Sequence, residues 1–131
     1  MALLSRADIL QALDLPRERV AVPEWGGEVY VRALNGSERD SLEAWMLEMN
    51  GKGAQDLYAN FTARLAAMTM VGEDGENLFT LADIQVLGKK SANALRRVMD
   101  VAQRLSGVTQ ADVEELTKNS ASDQSDDSGS V

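Results

Sequence analysis

Apolar and polar positions along the chain alternate with two different periods, and the change of period marks its elements. Ser5 is placed to cap a short helix, with Asp8 at the reciprocal capping position and Leu4, Ile9, Leu10 and Leu13 as its apolar face. Pro16 stops it. From Arg19 to Leu34 the period is two: Val20 and Val22 alternate, then Val29 and Val31. Pro23 and the Gly26-Gly27 pair supply turn chemistry between them, so the stretch predicts a β-hairpin with residues 24–27 near its tip. Pro23 lacks a ladder donor and belongs at the end of a strand.

The period then becomes helical. Ser37 with Asp40 reads as a cap, and Leu42, Trp45, Met46 and Met49 fall at i, i+3, i+4 and i+7 on one face. Asn50-Gly-Lys-Gly53 ends that helix. A second should run from about Ala54 to Met70, with Leu57, Phe61, Leu65 and Met68 on one side. Ala63, Ala66 and Ala67 permit close approach by a neighbour, and the almost wholly apolar stretch Leu65 to Val71 predicts a central helix. Residues 72–77 form a polar turn between Val71 and Leu78-Phe79, in a position to close a second small hairpin. Thr80 with Asp83 opens a helix carrying Leu81, Ile84 and Leu87, broken at Gly88. Ser91 starts a longer one to about Leu105. Its Leu95, Val98, Ala102 and Leu105 face inward, Asn93, Arg97, Asp100 and Arg104 outward, and Gly107 fits the C-cap role. Thr109 with Asp112 caps a last short helix through Leu116. The expected fold class is α+β and mostly α: a small helical domain with an N-terminal antiparallel β-hairpin.

Composition narrows the function classes. The chain has 131 residues, room for one domain, with 44% apolar and 26% charged residues. It has no histidine and no cysteine, which removes disulfides, a thiol nucleophile, the usual zinc sites and an imidazole base. The expectation is a protein that is not an enzyme and uses no cofactor. No apolar run approaches the ~20 residues that span a bilayer, and the N-terminus lacks a signal-peptide pattern, so a soluble cytoplasmic protein is expected.

Charge is uneven. There are 21 acidic against 13 basic residues, a net charge of -8. Residues 119–131 hold Asp123, Asp126, Asp127 and five serines with no base. Such a segment cannot bury enough surface to offset its ordering entropy, so it reads as a disordered acidic tail after a folded domain at 1–118. Glu73, Asp74 and Glu76 around Gly75 suggest a calcium loop, but no closing glutamate follows Asn77, and a solvated turn is the better reading. Lys89, Lys90, Arg96, Arg97 and Arg104 form the cationic region, offset by Asp100 alone in that stretch. It reads either as a solvated helix face or as a docking stripe for an acidic partner, with Arg97 and Arg104 seven apart on one face. Nucleic acid is disfavoured, because the overall charge repels phosphate and no aromatic residues interleave with the bases.

Six methionines and two tryptophans are the other feature. Trp45, Met46 and Met49 are either core or an adaptable apolar surface for a helical partner. Trp25, at the hairpin tip between Glu24 and Gly26, is an interface candidate.

Val22-Pro-Glu-Trp-Gly-Gly with Val29-Tyr-Val-Arg32 resembles the N-terminal hairpin of the tail assembly chaperones of long-tailed, siphovirus-type bacteriophages. Val71-Gly-Glu-Asp-Gly-Glu-Asn-Leu-Phe-Thr80, running into Ala82-Asp-Ile and Leu87-Gly-Lys-Lys-Ser91, is similar to a later block of that family. Val101-Ala-Gln-Arg-Leu-Ser-Gly107 followed by Asp112-Val-Glu-Glu-Leu-Thr-Lys-Asn119 completes the likeness, which covers residues 18–119 in order. The N-terminal helix and Gly51-Lys-Gly53 fall outside it. The resemblance implies a protein of the host cytoplasm, absent from the virion. It would bind the long helical tape-measure protein, keep it soluble and help recruit tail-tube subunits. Self-association into a homo-oligomer is compatible with that role. The resemblance also implies a longer form made by programmed ribosomal frameshifting, for which Thr117-Lys118-Asn119 and Gly88-Lys89-Lys90 can both be encoded by slippery codons. The rival readings are a structural tail or head-completion protein and a bacterial acidic adaptor domain.

Overall fold

The computed structural model describes residues 1–50 and 54–107. Helix α1 (Arg6–Gln11) leads into strand β1 (Arg17–Val22), a single 3-10 turn (Pro23–Trp25) and strand β2 (Gly27–Arg32). Helix α2 (Gly36–Asn50) and helix α3 (Ala54–Thr69) follow, then strand β3 (Met70–Val71), a 3-10 turn (Leu81–Asp83), helix α4 (Ile84–Leu87) and helix α5 (Ala92–Ser106). The class is α+β and mostly α, as the two periods predict.

The hairpin forms because its alternation puts Val20, Val22 and Val31 on one face, all buried. Its register pairs Val20 with Val29 and Val22 with Gly27. The other face carries Arg17 and Arg19, whose guanidinium carbons lie 4.4 and 5.6 Å from the centre of the Tyr30 ring. The sheet has a third strand that the pattern did not predict. Met70, expected as the last residue of the second helix, and Val71 beyond it pair antiparallel with Val31 and Tyr30. A continuous apolar run carries no period, so helix and buried strand look alike within it. The following polar turn does fold back: Val71 bridges to Asn77, and Leu78 N–H donates to the Met70 carbonyl at 3.1 Å.

Helix α3 is the centre of the molecule, packed against α2, α4 and α5. Leu65 and Ala66 are fully excluded from solvent, and Phe61, Ala63, Ala67 and Met68 are buried. Each large apolar side chain removed from water in this way contributes about 1.5–3 kcal/mol. Thr69, the buried polar residue at its end, donates its hydroxyl to the Leu65 carbonyl at 2.7 Å, so it adds no unsatisfied group. Helix α5 lies against the sheet and α3, burying Ala94, Leu95, Val98 and Ala102. Ser91 caps its start and Gly107 ends it with φ 70°, a left-handed conformation that glycine adopts without a Cβ clash.

Two expected caps form as written. Ser5 and Asp8 bond reciprocally, as do Thr80 and Asp83. The cap of α2 is displaced from Ser37–Asp40 to Asn35–Glu38: Asn35 Oδ1 accepts from Glu38 N–H at 2.8 Å, and Glu38 accepts from Asn35 N–H at 2.9 Å. Glu38 is also gripped by Arg32, Nη1 to Oε1 at 2.7 Å and Nη2 to Oε2 at 2.8 Å, a fork that ties the end of β2 to the first turn of α2. A second correction concerns α1. Its expected apolar face is uncovered, with Leu4, Ile9, Leu10 and Leu13 all exposed. The Gly51–Gly53 break, the side chain of Leu57, the helix from Thr109 and the tail from Asn119 lie outside what is described.

Candidate functional site

An apolar concavity is built where the hairpin tip meets α4. Pro23 fixes the first residue of the 3-10 turn, and Gly26 closes it with φ 75° and a bond from its N–H to the Pro23 carbonyl at 3.0 Å. Trp25 is thereby held beside the sheet rather than projecting into solvent. It is half-buried and packs on the core. Glu24, the residue before it, accepts from Arg97 Nε on α5. That hydrogen bond, with a smaller one from the backbone, holds the Glu24 carboxyl below the ordinary glutamate range.

Opposite Trp25 stand Phe79, Val86 and Leu87. Together with Asp83 and Lys90 they line a groove of about 480 Å³. Leu87 is its buried floor, and Phe79 is half-buried against the core. Val86 remains 67% exposed, so the apolar surface of the groove reaches its rim. A groove with apolar walls and a charge of each sign at its edge suits the apolar stripe of an amphipathic helix better than a small polar ligand.

The tryptophans are not brought together. Trp45, Met46 and Met49 lie on α2, none of whose residues lines this groove. Met46 is 4% exposed and belongs to the core, which corrects its place among surface candidates: the i, i+4 face it shares with Leu42 is the one packed inward. Trp45 and Met49 are half-buried. The Trp45 ring is covered by Arg64, whose guanidinium carbon lies 4.4 Å from the ring centre. Arg64 Nε is buried without a hydrogen-bond partner, so the ring face stands in for one. Burial lowers the Arg64 pKa, with the Glu48 carboxylate opposing the shift.

The cationic stripe is partly engaged inside the chain. Arg97 pairs with Glu24 at 3.0 Å, and Arg104 with Glu18 on β1 at 2.6 Å. Asp100 is therefore not the counter-charge of either. Lys89, Lys90 and Arg96 make no ion pair among the described residues. Lys90 and Arg96 edge a second hollow of about 330 Å³ with Thr62, Asn93 and Met99. Phe79 and Val86 were missed in the sequence. Val86 carries the one available signal, an apolar residue off the face that Ile84 and Leu87 define.

The acidic turn is occupied by its own chemistry. Asp74 Oδ1 accepts from Glu76 N–H at 2.9 Å and Gly75 has φ 84°. Among the described residues no three carboxylates converge to hold a metal ion, and no helix is long and apolar enough to cross a membrane. Comparison with models of protein families, with curated proteins and with solved structures returns no match.

Proposed function

We propose that this protein is a tail assembly chaperone of a long-tailed phage. It binds the amphipathic helices of the tape-measure protein, keeps them soluble and presents them to tail-tube subunits, and it is absent from the finished particle. The observation that carries the reading is the Trp25–Phe79–Val86–Leu87 groove. Its tryptophan lies in the Val22–Gly27 block and its phenylalanine in the Val71–Thr80 block, two of the three blocks that carry the family resemblance. A client with more apolar surface than it can bury alone is held by contact with such a groove. The net charge of -8 keeps the complex dispersed.

The test is co-purification of the tape-measure protein with the wild-type chain and with Val86→Asp. Val86 is exposed, so a charge there costs little stability while spoiling the groove. Loss of the client with an unchanged melting temperature supports the reading. Full retention of the client places its contact elsewhere. Mass spectrometry of purified virions separates the chaperone from a structural tail protein, since only the latter is found in particles.

A further inference from the structure

Where α4 turns into α5, Lys89, Lys90 and Arg96 stand without a carboxylate partner among the described residues, although the chain carries 21 acidic residues. Other bases are engaged: Arg19, Arg32, Arg39, Arg97 and Arg104 each pair with a glutamate. The turn is fixed by its backbone, Lys89 N–H donating to the Val86 carbonyl at 3.1 Å and Lys90 N–H to the Leu87 carbonyl at 3.0 Å. Lys90 is thereby held where two cavities meet, since it lines both the apolar groove and the hollow of about 330 Å³. Gly88, Ala63 and Ala92 bring little or no side chain to that hollow, and Thr62 and Met99 wall it, Oγ1 to Sδ at 3.4 Å. Its lining holds two cations, Lys90 and Arg96, and no carboxylate. Asp83 lies at the other end of α4, where its Oδ2 accepts from Thr80 N–H at 2.9 Å. Charge is therefore ordered along this surface: negative before α4, apolar along it and positive beyond it.

We infer that the client segment taken by this surface is an amphipathic helix with carboxylates at one end. Its apolar stripe seats against Trp25, Phe79, Val86 and Leu87, and the carboxylates in the turn beyond the stripe enter the hollow at Lys90 and Arg96. The inference rests on the groove being the client site and adds which clients that groove accepts. From Asp83 to Lys90 the chain runs through α4 and its closing turn, roughly 10 Å at a helical rise. A client stripe at i, i+3, i+4 and i+7 has the same length, about 10 Å, so the next turn of that helix falls beside Lys90. Each exposed ion pair is weak, and its use is discrimination: a client with lysines in that turn meets like charge. Lys89, Lys90 and Arg96 also repel one another in the free chain, a cost relieved when carboxylates arrive. Nucleic acid is the competing polyanion, but a net charge of -8 opposes it and an apolar groove offers its phosphates nothing.

The test measures, by fluorescence anisotropy, binding of the full chain to labelled synthetic helical peptides of about 20 residues, long enough to hold a helix. All share one leucine stripe at i, i+3, i+4 and i+7 and differ at two positions in the turn beyond it, which hold Glu, Gln or Lys. The Glu peptide should bind about three- to tenfold tighter than the Gln peptide and the Lys peptide weaker than both, with added salt compressing the series. Lys90→Glu/Arg96→Glu should invert that order. Both residues are exposed, and circular dichroism confirms that the variant is folded. Val86→Asp should weaken all the peptides alike. Charge-blind binding that Val86→Asp still weakens would overturn this inference and leave the groove as the client site. Binding that Val86→Asp leaves untouched would overturn the groove reading and this inference with it. Tighter binding of a single-stranded DNA oligonucleotide than of the Glu peptide would assign the cations to phosphate. Charge selectivity that emerges only in Asp123→Asn/Asp126→Asn/Asp127→Asn would assign the hollow to the chain's own carboxylates. Either of these results also overturns the inference.

Discussion

Arg97 Nε donates to both carboxylate oxygens of Glu24, at 3.0 and 3.2 Å, joining residues 73 apart in the sequence. Arg104 Nη2 donates to a single oxygen of Glu18, Oε2, across 86 residues at 2.6 Å. The two pairs fasten α5 along β1, one at the turn that holds Trp25 and one near the start of the strand. Both are partly exposed to solvent, so they steer the packing more than they strengthen it. Reversing Arg97 and Arg104 to glutamate should therefore lower the melting temperature modestly, and added salt should shrink the difference. The swap Glu24→Arg with Arg97→Glu should recover most of the loss. A melting temperature indifferent to the reversals would show that the pairs do not persist in solution.

Glu38 gives the fold an acid limit. Burial alone would raise its pKa, but the fork from Arg32, the N–H of Asn35 and the Arg32 charge outweigh burial and hold it below the ordinary 4.5. A carboxyl with a lower pKa folded than unfolded contributes stability that is fully present above 4.5 and is lost as pH falls through the folded value. Glu24 and Asp8 are depressed too and act in the same direction. Denaturant titrations at neutral pH and in the acid range should show Glu38→Gln costing about 1–3 kcal/mol at neutral pH and progressively less in acid. An equal cost at both would exclude the pair as the source.

Core and groove should respond oppositely. Leu65 is completely buried on α3 and Met46 is 4% exposed on α2, and truncating either to alanine should cost about 2–5 kcal/mol in chemical denaturation. Val86→Asp should change stability by no more than about 0.5 kcal/mol. If Met46→Ala proved neutral to stability and specific to client binding, the inward assignment of the α2 face would be wrong.

How much of this was legible before folding depends on range. Local chemistry was: the Ser5–Asp8 and Thr80–Asp83 caps, the hairpin with its tip near residues 24–27, and the Gly107 stop follow from residues a few places apart. The Asn35–Glu38 cap was misplaced because Ser37–Asp40, two residues on, satisfies the same pattern. Recruitment of Glu38 by Arg32 decides between them. Strand β3 was hidden inside an apolar run. Helix α1 shows a proper amphipathic pattern, but a pattern says only that a face is apolar, not that its own chain covers it. The groove joins residues from three separate stretches around Trp25, Phe79 and Val86, with Val86's position off the Ile84–Leu87 face as its local signal, and the Arg97–Glu24 pair has none.

The fold bears on where the gene could shift frame. Slippage at Lys89 would replace α5 and remove Ala94, Leu95, Val98 and Ala102 from the core. Slippage at Lys118 falls beyond α5 and spares all of it. The expected site is therefore Thr117-Lys118-Asn119, written A-AAA-AAC in the message, with an open frame one base back beyond it. Sequencing the gene checks this, and non-slippery codons there with no overlapping frame would exclude it. The proposed chaperone role does not require the extension.

The most direct measurement is the soluble yield of the tape-measure protein of the same phage, expressed alone, with this chain, and with its Trp25→Ala/Val86→Asp variant. The account predicts an insoluble client alone, a soluble complex with the wild type and a return to insolubility with the folded variant. A client equally soluble in all three, or one rescued fully by the variant, would contradict the claim that this groove holds it.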